Sequence, residues 1–225
     1  MDVDGNEYRL REDNPAEGCK GPKIQQYGHA MCLDREQAAA LLQAIETTNL
    51  VGKRNKALFA GYMLLGLRSS ELRQLKYEDI EMHLEGITMH YMGKGGRSQV
   101  KEIYPPVYQA IMAFADAENR YEGFVFHAYD SSGKPAERPI GDQTVRDALK
   151  YYARRAGLRT QGLRVHSLRH TAAVLRKEAG DSDEAIQKFL KHGNVATTRI
   201  YLQHLKPDPD KTWMTVAEML EMVHL

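Results

Sequence analysis

Cysteine is nearly absent. Cys19 and Cys32 are the chain's two, too few for a disulfide framework, and they read as free thiols of a reducing compartment. No unbroken apolar run approaches the roughly 18 residues of a membrane-spanning helix, and the N-terminus is acidic rather than a basic leader. Neither a membrane span nor a signal peptide is therefore expected, and the sequence reads as cytoplasmic. A large net charge is missing too: 31 Lys and Arg against 30 Asp and Glu leave +1, which alone argues against a nucleic-acid binder. What the chain does have is 42% apolar content over 225 residues, enough for one large domain with a real core.

The placement of charge reverses the impression left by its sum. Residues 145–206 carry 13 Lys and Arg against 5 Asp and Glu, residues 207–225 carry 1 against 4, and residues 1–33 carry 4 against 6. A basic stretch between acidic ends is the pattern of a local phosphate-binding face, or of a solvated helical face.

Within the basic stretch, Val165, Leu168, Ala172, Leu175 and Ala179 recur at steps of three and four, one buried stripe of a helix. His166, Arg169 and His170 fall on the neighbouring face, where a histidine and an arginine one turn apart suit an anion. A zinc pair of His166 and His170 is disfavoured, because Ser167 stands where a metalloprotease has its glutamate. Upstream, Asp34 and Gln37 form a capping box for a helix to about Thr48, and a second, apolar and central helix is expected from about Lys53 to Leu65. It breaks at Gly66, with Ser69 or Ser70 capping the next helix, which puts Arg68 at a helix junction. Ile87, Met89 and Tyr91 alternate as a strand, Gly93-Lys94-Gly95-Gly96-Arg97 turns the chain, and Gln99–Tyr104 runs back. Pro105 opens a helix to about Asn119, Phe124-Val125-Phe126 reads as a short strand before a loop holding Ser131–Pro135, and Asp142 caps a helix through Arg155. Lys150, Arg154 and Arg155 there face either a DNA backbone or water. Pro207 and Pro209 break the chain again before a helical stripe from Met214 to Leu225.

Several of these segments together resemble the tyrosine recombinases of the phage-integrase and Xer type: Gly66-Leu67-Arg68 with Glu71-Leu72, Gly93-Lys94-Gly95, His166-Ser167-Leu168-Arg169-His170-Thr171, His192, and Thr197-Thr198-Arg199-Ile200-Tyr201. One departure stands out. The family usually has Leu-Gly-His before its tyrosine segment, whereas here the order is Leu190-Lys191-His192-Gly193.

The resemblance implies an α+β, mainly α-helical catalytic domain with a small antiparallel sheet. It also implies domain limits: a tail and interdomain-type linker over 1–33 with the core-binding domain essentially absent, the catalytic domain over 34–206, and a C-terminal tail over 207–225. That tail either docks on its own domain or is exchanged between subunits. The implied activity is site-specific DNA strand cleavage and rejoining through a 3′-phosphotyrosine, by an integrase of a phage or mobile element. A Xer-like resolvase of chromosome dimers and a DNA-binding module of the same fold without activity are the alternatives. The implied catalytic set is Arg68, Lys94, His166, Arg169, His192 and the nucleophile Tyr201. Because bond energy is held in the phosphotyrosine, neither ATP nor a metal cofactor is required. The partners implied are double-stranded DNA recombination sites, further copies of the chain in a synaptic tetramer, and an accessory DNA-bending or directionality factor.

Overall fold

The computed structural model describes residues 31–93, 96–191 and 212–222, and its central element is helix α2, Leu50–Leu65. Asn49 starts α2 by accepting the Gly52 N–H at 2.8 Å, three residues before the expected beginning. From Ala57 to Leu65 every residue is buried, so this helix has no solvent face there. Packed on it are α3 (Ser69–Arg73), α4 (Pro105–Glu118) and α6 (Val165–Glu178). Before it, α1 (Arg35–Gln43) opens on the expected capping box: Asp34 Oδ1 accepts the Gln37 N–H at 2.8 Å and Gln37 Oε1 accepts the Asp34 N–H at 3.2 Å. This helix stops at Gln43 with Ala44 as its C-cap, short of Thr48, because the chain must leave the helix before Asn49 caps α2 in an extended conformation.

Strands β1 (Ile80–His83), β2 (Gly86–Gly93) and β3 (Arg97–Ile103) form an antiparallel meander in that order, with Met89 opposite Lys101 and Tyr91 opposite Gln99. Met89, Tyr91 and Ile103 turn inward to the core, as the alternation predicts. The second sheet corrects the sequence reading. Val125 and Phe126 are fully buried but lie outside the strands, and Phe124 makes only an isolated bridge with Lys76. Pairing begins one residue later, between β4 (His127–Tyr129) and β5 (Pro135–Pro139), the latter starting within the expected loop. An apolar triplet reports burial, and burial alone does not specify a ladder.

Two helix starts also differ from expectation. Arg68, rather than a serine, occupies the N-cap of α3, and Gly141 precedes α5 (Asp142–Arg155), whose first residue is Asp142. The Asp142 carboxylate is used otherwise: it accepts from Ser69 Oγ at 3.1 Å and pairs with Arg146, which ties α5 to the start of α3. Helix α7 (Asp183–Leu190) is capped by Ser182, which accepts the Ala185 N–H at 3.1 Å. Helix α8 (Thr212–Met219) begins two residues before Met214 and lies against α1, α2 and α6 of its own chain. Val216 and Leu220 are buried there, Trp213 stacks on Tyr104 at 5.3 Å between centroids, and Thr212 Oγ1 donates to Asp181 Oδ1 at 2.8 Å. Among the described residues the architecture is α+β and mainly helical, with two small antiparallel sheets.

Candidate active site

Gly66 ends α2 with φ +60°, a left-handed turn that glycine makes without strain. It also leaves a notch. A Cβ at this position would lie 2.5 Å from Phe189 Cε1 and 3.1 Å from Leu190 Cδ2. The Phe189 ring seated there has Lys101 Nζ 4.0 Å and the Arg176 guanidinium 4.2 Å from its centroid. Gly66→Ala is expected to destabilise the domain by about 2–4 kcal/mol, combining left-handed strain with overpacking. A denaturant midpoint within error of wild type would remove Gly66 from this role.

The turn delivers Arg68 to the N-cap of α3. Glu71, three residues on and almost fully buried, accepts the Arg68 backbone N–H at 2.7 Å and its Nη1 at 2.6 Å. One carboxylate thus fixes both the backbone and the guanidinium of Arg68, whose side chain keeps 30% of its surface exposed. Arg169, from the second turn of α6, is 3% exposed. Its Nη1 donates to the Gly66 carbonyl and its Nη2 to the Leu190 carbonyl, so it bridges the last turns of α2 and α7. Burial, reinforced by the nearby positive charge of Arg68 and opposed by Glu71, lowers the Arg169 pKa to about 10. It remains a guanidinium at neutral pH.

Tyr91 on β2 feels the same charges. Burial, then Glu71, push its hydroxyl up to about 12, against the opposing pull of Arg169 and Arg68. Lys191, the residue after α7, has its Nζ 5.2 Å from the Tyr91 ring centroid and is also within the field of Glu71. Burial holds this ammonium below its ordinary range. Among the described residues, the fold therefore gathers three cations, Arg68, Arg169 and Lys191, around the carboxylate of Glu71. That imbalance favours an anion.

His166 is exposed on α6, with its ring edge-on to His170 at 4.7 Å. His170 is less exposed, and burial together with the charge of Arg169 keeps its pKa below the ordinary histidine value. His166 also lines a cavity of about 730 Å³ that runs from Ser69 along α5, past Arg146, Lys150 and Arg154, to Arg164. These three residues of α5 are spaced four apart and exposed, one basic stripe along a groove wall. Arg155 is not among them: it turns to Glu46 and to the Tyr151 hydroxyl, the latter at 3.3 Å.

Of the six expected catalytic residues the structure thus places three. Arg68 and Arg169 come together, and His166 stands on the same helix as Arg169, one turn earlier. Lys94, His192 and Tyr201 lie outside the described residues. Sequence reasoning places Glu71 within a motif but gives it no task, although its spacing of three from a helix-opening residue is a capping-box signal. Tyr91 carries no signal beyond the strand alternation, and Lys191 none beyond its departure from Leu-Gly-His.

Residues 32–207 match the sequence profile of the phage integrase family. Tyrosine recombinase XerA of Thermococcus kodakarensis is 30% identical over 203 residues, an alignment covering 88% of this chain and 68% of the relative. Among solved structures, the XerH site-specific recombinase bound to palindromic difH substrate in a post-cleavage complex superposes with a TM-score of 0.62 at 22% identity, over 77% of this chain and 50% of that one. The integrase from mycobacterium phage Brujita gives 0.56 at 23% identity, over 95% of this chain and 64% of that one. The chain therefore spans about two thirds of the curated relative and half to two thirds of these solved chains.

Proposed function

Since the chain belongs to the phage integrase family, the tyrosine recombinases, we propose that it is the catalytic domain of a site-specific recombinase that cleaves and rejoins DNA through a 3′-phosphotyrosine. The observation that carries this reading is the cationic site itself, in which Arg68 and Arg169, from distant parts of the sequence, share one locus with the Glu71 carboxylate.

Transfer at a phosphodiester requires charge neutralisation on two non-bridging oxygens, a nucleophile, and a proton for the leaving oxygen. Guanidinium groups meet the first need, since they stay charged and hold phosphate oxygens in a fork. Glu71 and the two carbonyls preorganise the guanidiniums in advance, so no reorganisation is needed when negative charge grows on the phosphate. His192 is assigned a further hydrogen bond to those oxygens. The Tyr201 phenol oxygen forms the new bond to phosphorus, and its proton passes to His166. The bond from phosphorus to the 5′ oxygen breaks, with Lys94 protonating that oxygen. Attack on the phosphotyrosine by the 5′ hydroxyl of a partner strand reverses these steps and completes exchange.

The basic stripe of α5 supplies a track for the duplex backbone. Replacing Arg146, Lys150 and Arg154 together with alanine is expected to flatten the dependence of log affinity on log salt by about 2–3, at about 0.9 for each phosphate no longer neutralised. An unchanged slope would place the DNA elsewhere.

Four protomers on two recombination sites are the assembly this chemistry calls for, with a DNA-bending or directionality factor as an additional partner. The role assigned is integration of a phage or mobile element. It is tested by strand exchange between paired labelled duplexes in buffer without divalent metal or ATP. Recombinant joints from attachment-site pairs support integration, joints only from chromosome-dimer resolution sites identify a resolvase, and tight binding without joints on any pair leaves a DNA-binding module.

A further inference from the structure

Lys191 occupies a place where the backbone asks for glycine. It closes α7 with φ 47° and ψ 48°, in the left-handed region, where a side chain crowds its own carbonyl. The family pattern has glycine at this position, so a lysine needs a reason. The reason lies on the sheet.

Strand β3 is an edge of its meander, with carbonyls that β2 does not use. The Lys191 side chain crosses the Tyr91 ring and donates from Nζ to the Val100 carbonyl at 2.7 Å and to Gln99 Oε1 at 3.1 Å, both on β3. The adjacent strand residue returns the contact: Lys101 Nζ donates to the Phe189 carbonyl, in the last turn of α7, at 2.8 Å. A lysine from the helix end thus holds a strand carbonyl, and a lysine from the strand holds a helix-end carbonyl. Arg169 takes the next carbonyl, that of Leu190. Two cations, Lys101 and Arg169, thus meet the negative end of the α7 dipole, which favours both.

The two parts clasped together are those that lead directly to reacting groups. In the sequence, Lys94 follows the last residue of β2 and His192 follows Lys191. Arg169 is bonded to the clasped helix end itself. We propose that Lys191 is a positioning residue of the recombinase: it locks the end of α7 to strand β3, so that Arg169, bonded to that helix end through the Leu190 carbonyl, is held fixed relative to the sheet. This inference rests on the recombinase reading for its effect on catalysis. The clasp itself does not.

The test therefore has two readouts on three variants. Lys191→Gly removes the side chain while relieving the left-handed strain, Lys191→Met keeps the length and the strain without the ammonium, and Lys191→Arg restores a donor. In Lys191→Gly and Lys191→Met, amide hydrogen exchange in peptides covering 97–103 and 183–191 is expected to quicken by about tenfold, with protection of α2 unchanged. Because strain is relieved, the melting temperature of Lys191→Gly should not fall. Single-turnover cleavage of a nicked duplex should slow by about tenfold or more in both, with DNA affinity held, since small misplacement of catalytic groups acts on the chemical step. Lys191→Arg should recover most of the lost rate. Unchanged exchange in both peptides overturns the clasp. Faster exchange with undiminished cleavage overturns the positioning role. A wild-type protein that forms no covalent adduct refutes the recombinase reading and the catalytic part of this proposal, and the exchange data then decide the clasp alone.

Discussion

Arg169→Ala is expected to slow DNA strand cleavage by about 10²–10³-fold or more, the cost of removing one preorganised charge from a transition state, while DNA affinity falls far less. The asymmetry follows from placement. Arg169, 3% exposed, offers little surface to duplex DNA, yet in the proposed scheme it neutralises charge on the phosphate in the transition state. The substitution also strips the donors from the Gly66 and Leu190 carbonyls, at about 1–3 kcal/mol for each buried acceptor left unpaired. A drop in melting temperature should therefore accompany the kinetic loss. Arg169→Lys separates the two effects, because an ammonium keeps the charge but lacks the planar fork that bridges α2 to α7. Cleavage and binding reduced by the same factor would make Arg169 a DNA-contact residue.

Tyr201→Phe is expected to remove cleavage altogether and leave binding nearly intact. Only a hydroxyl is lost, and no other group in the proposed scheme can form the phosphate ester. Denaturing gels of the variant on a substrate that traps wild-type protein should show no shifted band. An adduct of normal yield would move the nucleophile to another residue.

The two arginines were legible because each stands in a compact motif: Arg68 behind a glycine that must turn the chain, Arg169 on a helix whose apolar stripe fixes which face it shares. Their convergence was not, since it depends on α2 and α6 packing together and on Glu71 gripping Arg68 from the first turn of α3. The buried centre was readable from the largely apolar run at Ala57–Leu65. Strand β5 was hidden by Pro135 and Pro139, residues depleted from strands but tolerated in an edge strand such as this hairpin provides. Lys191 shows the limit most clearly. From sequence it was a departure from a familiar pattern, and only the carbonyl of Val100, 91 residues earlier on β3, gives the lysine a partner.

The terminal helix illustrates a different limit. Its spacing indicated an apolar stripe, and the structure seats Val216 and Leu220 in the core of the same chain, with Trp213 on Tyr104. A stripe specifies that a face will be covered; what covers it is a matter of tertiary structure.

The central claim, that this chain breaks DNA by forming a phosphotyrosine at Tyr201, is tested most directly by chemical mapping of the intermediate. The wild-type protein is incubated with nicked suicide duplexes from attachment regions, in buffer containing a chelator, then trapped in detergent and digested for peptide mass spectrometry. The account predicts a phosphodeoxynucleotide on the peptide containing Tyr201, formed without metal or ATP. A modification on any other residue, or strand cleavage that leaves no covalent adduct, would contradict it.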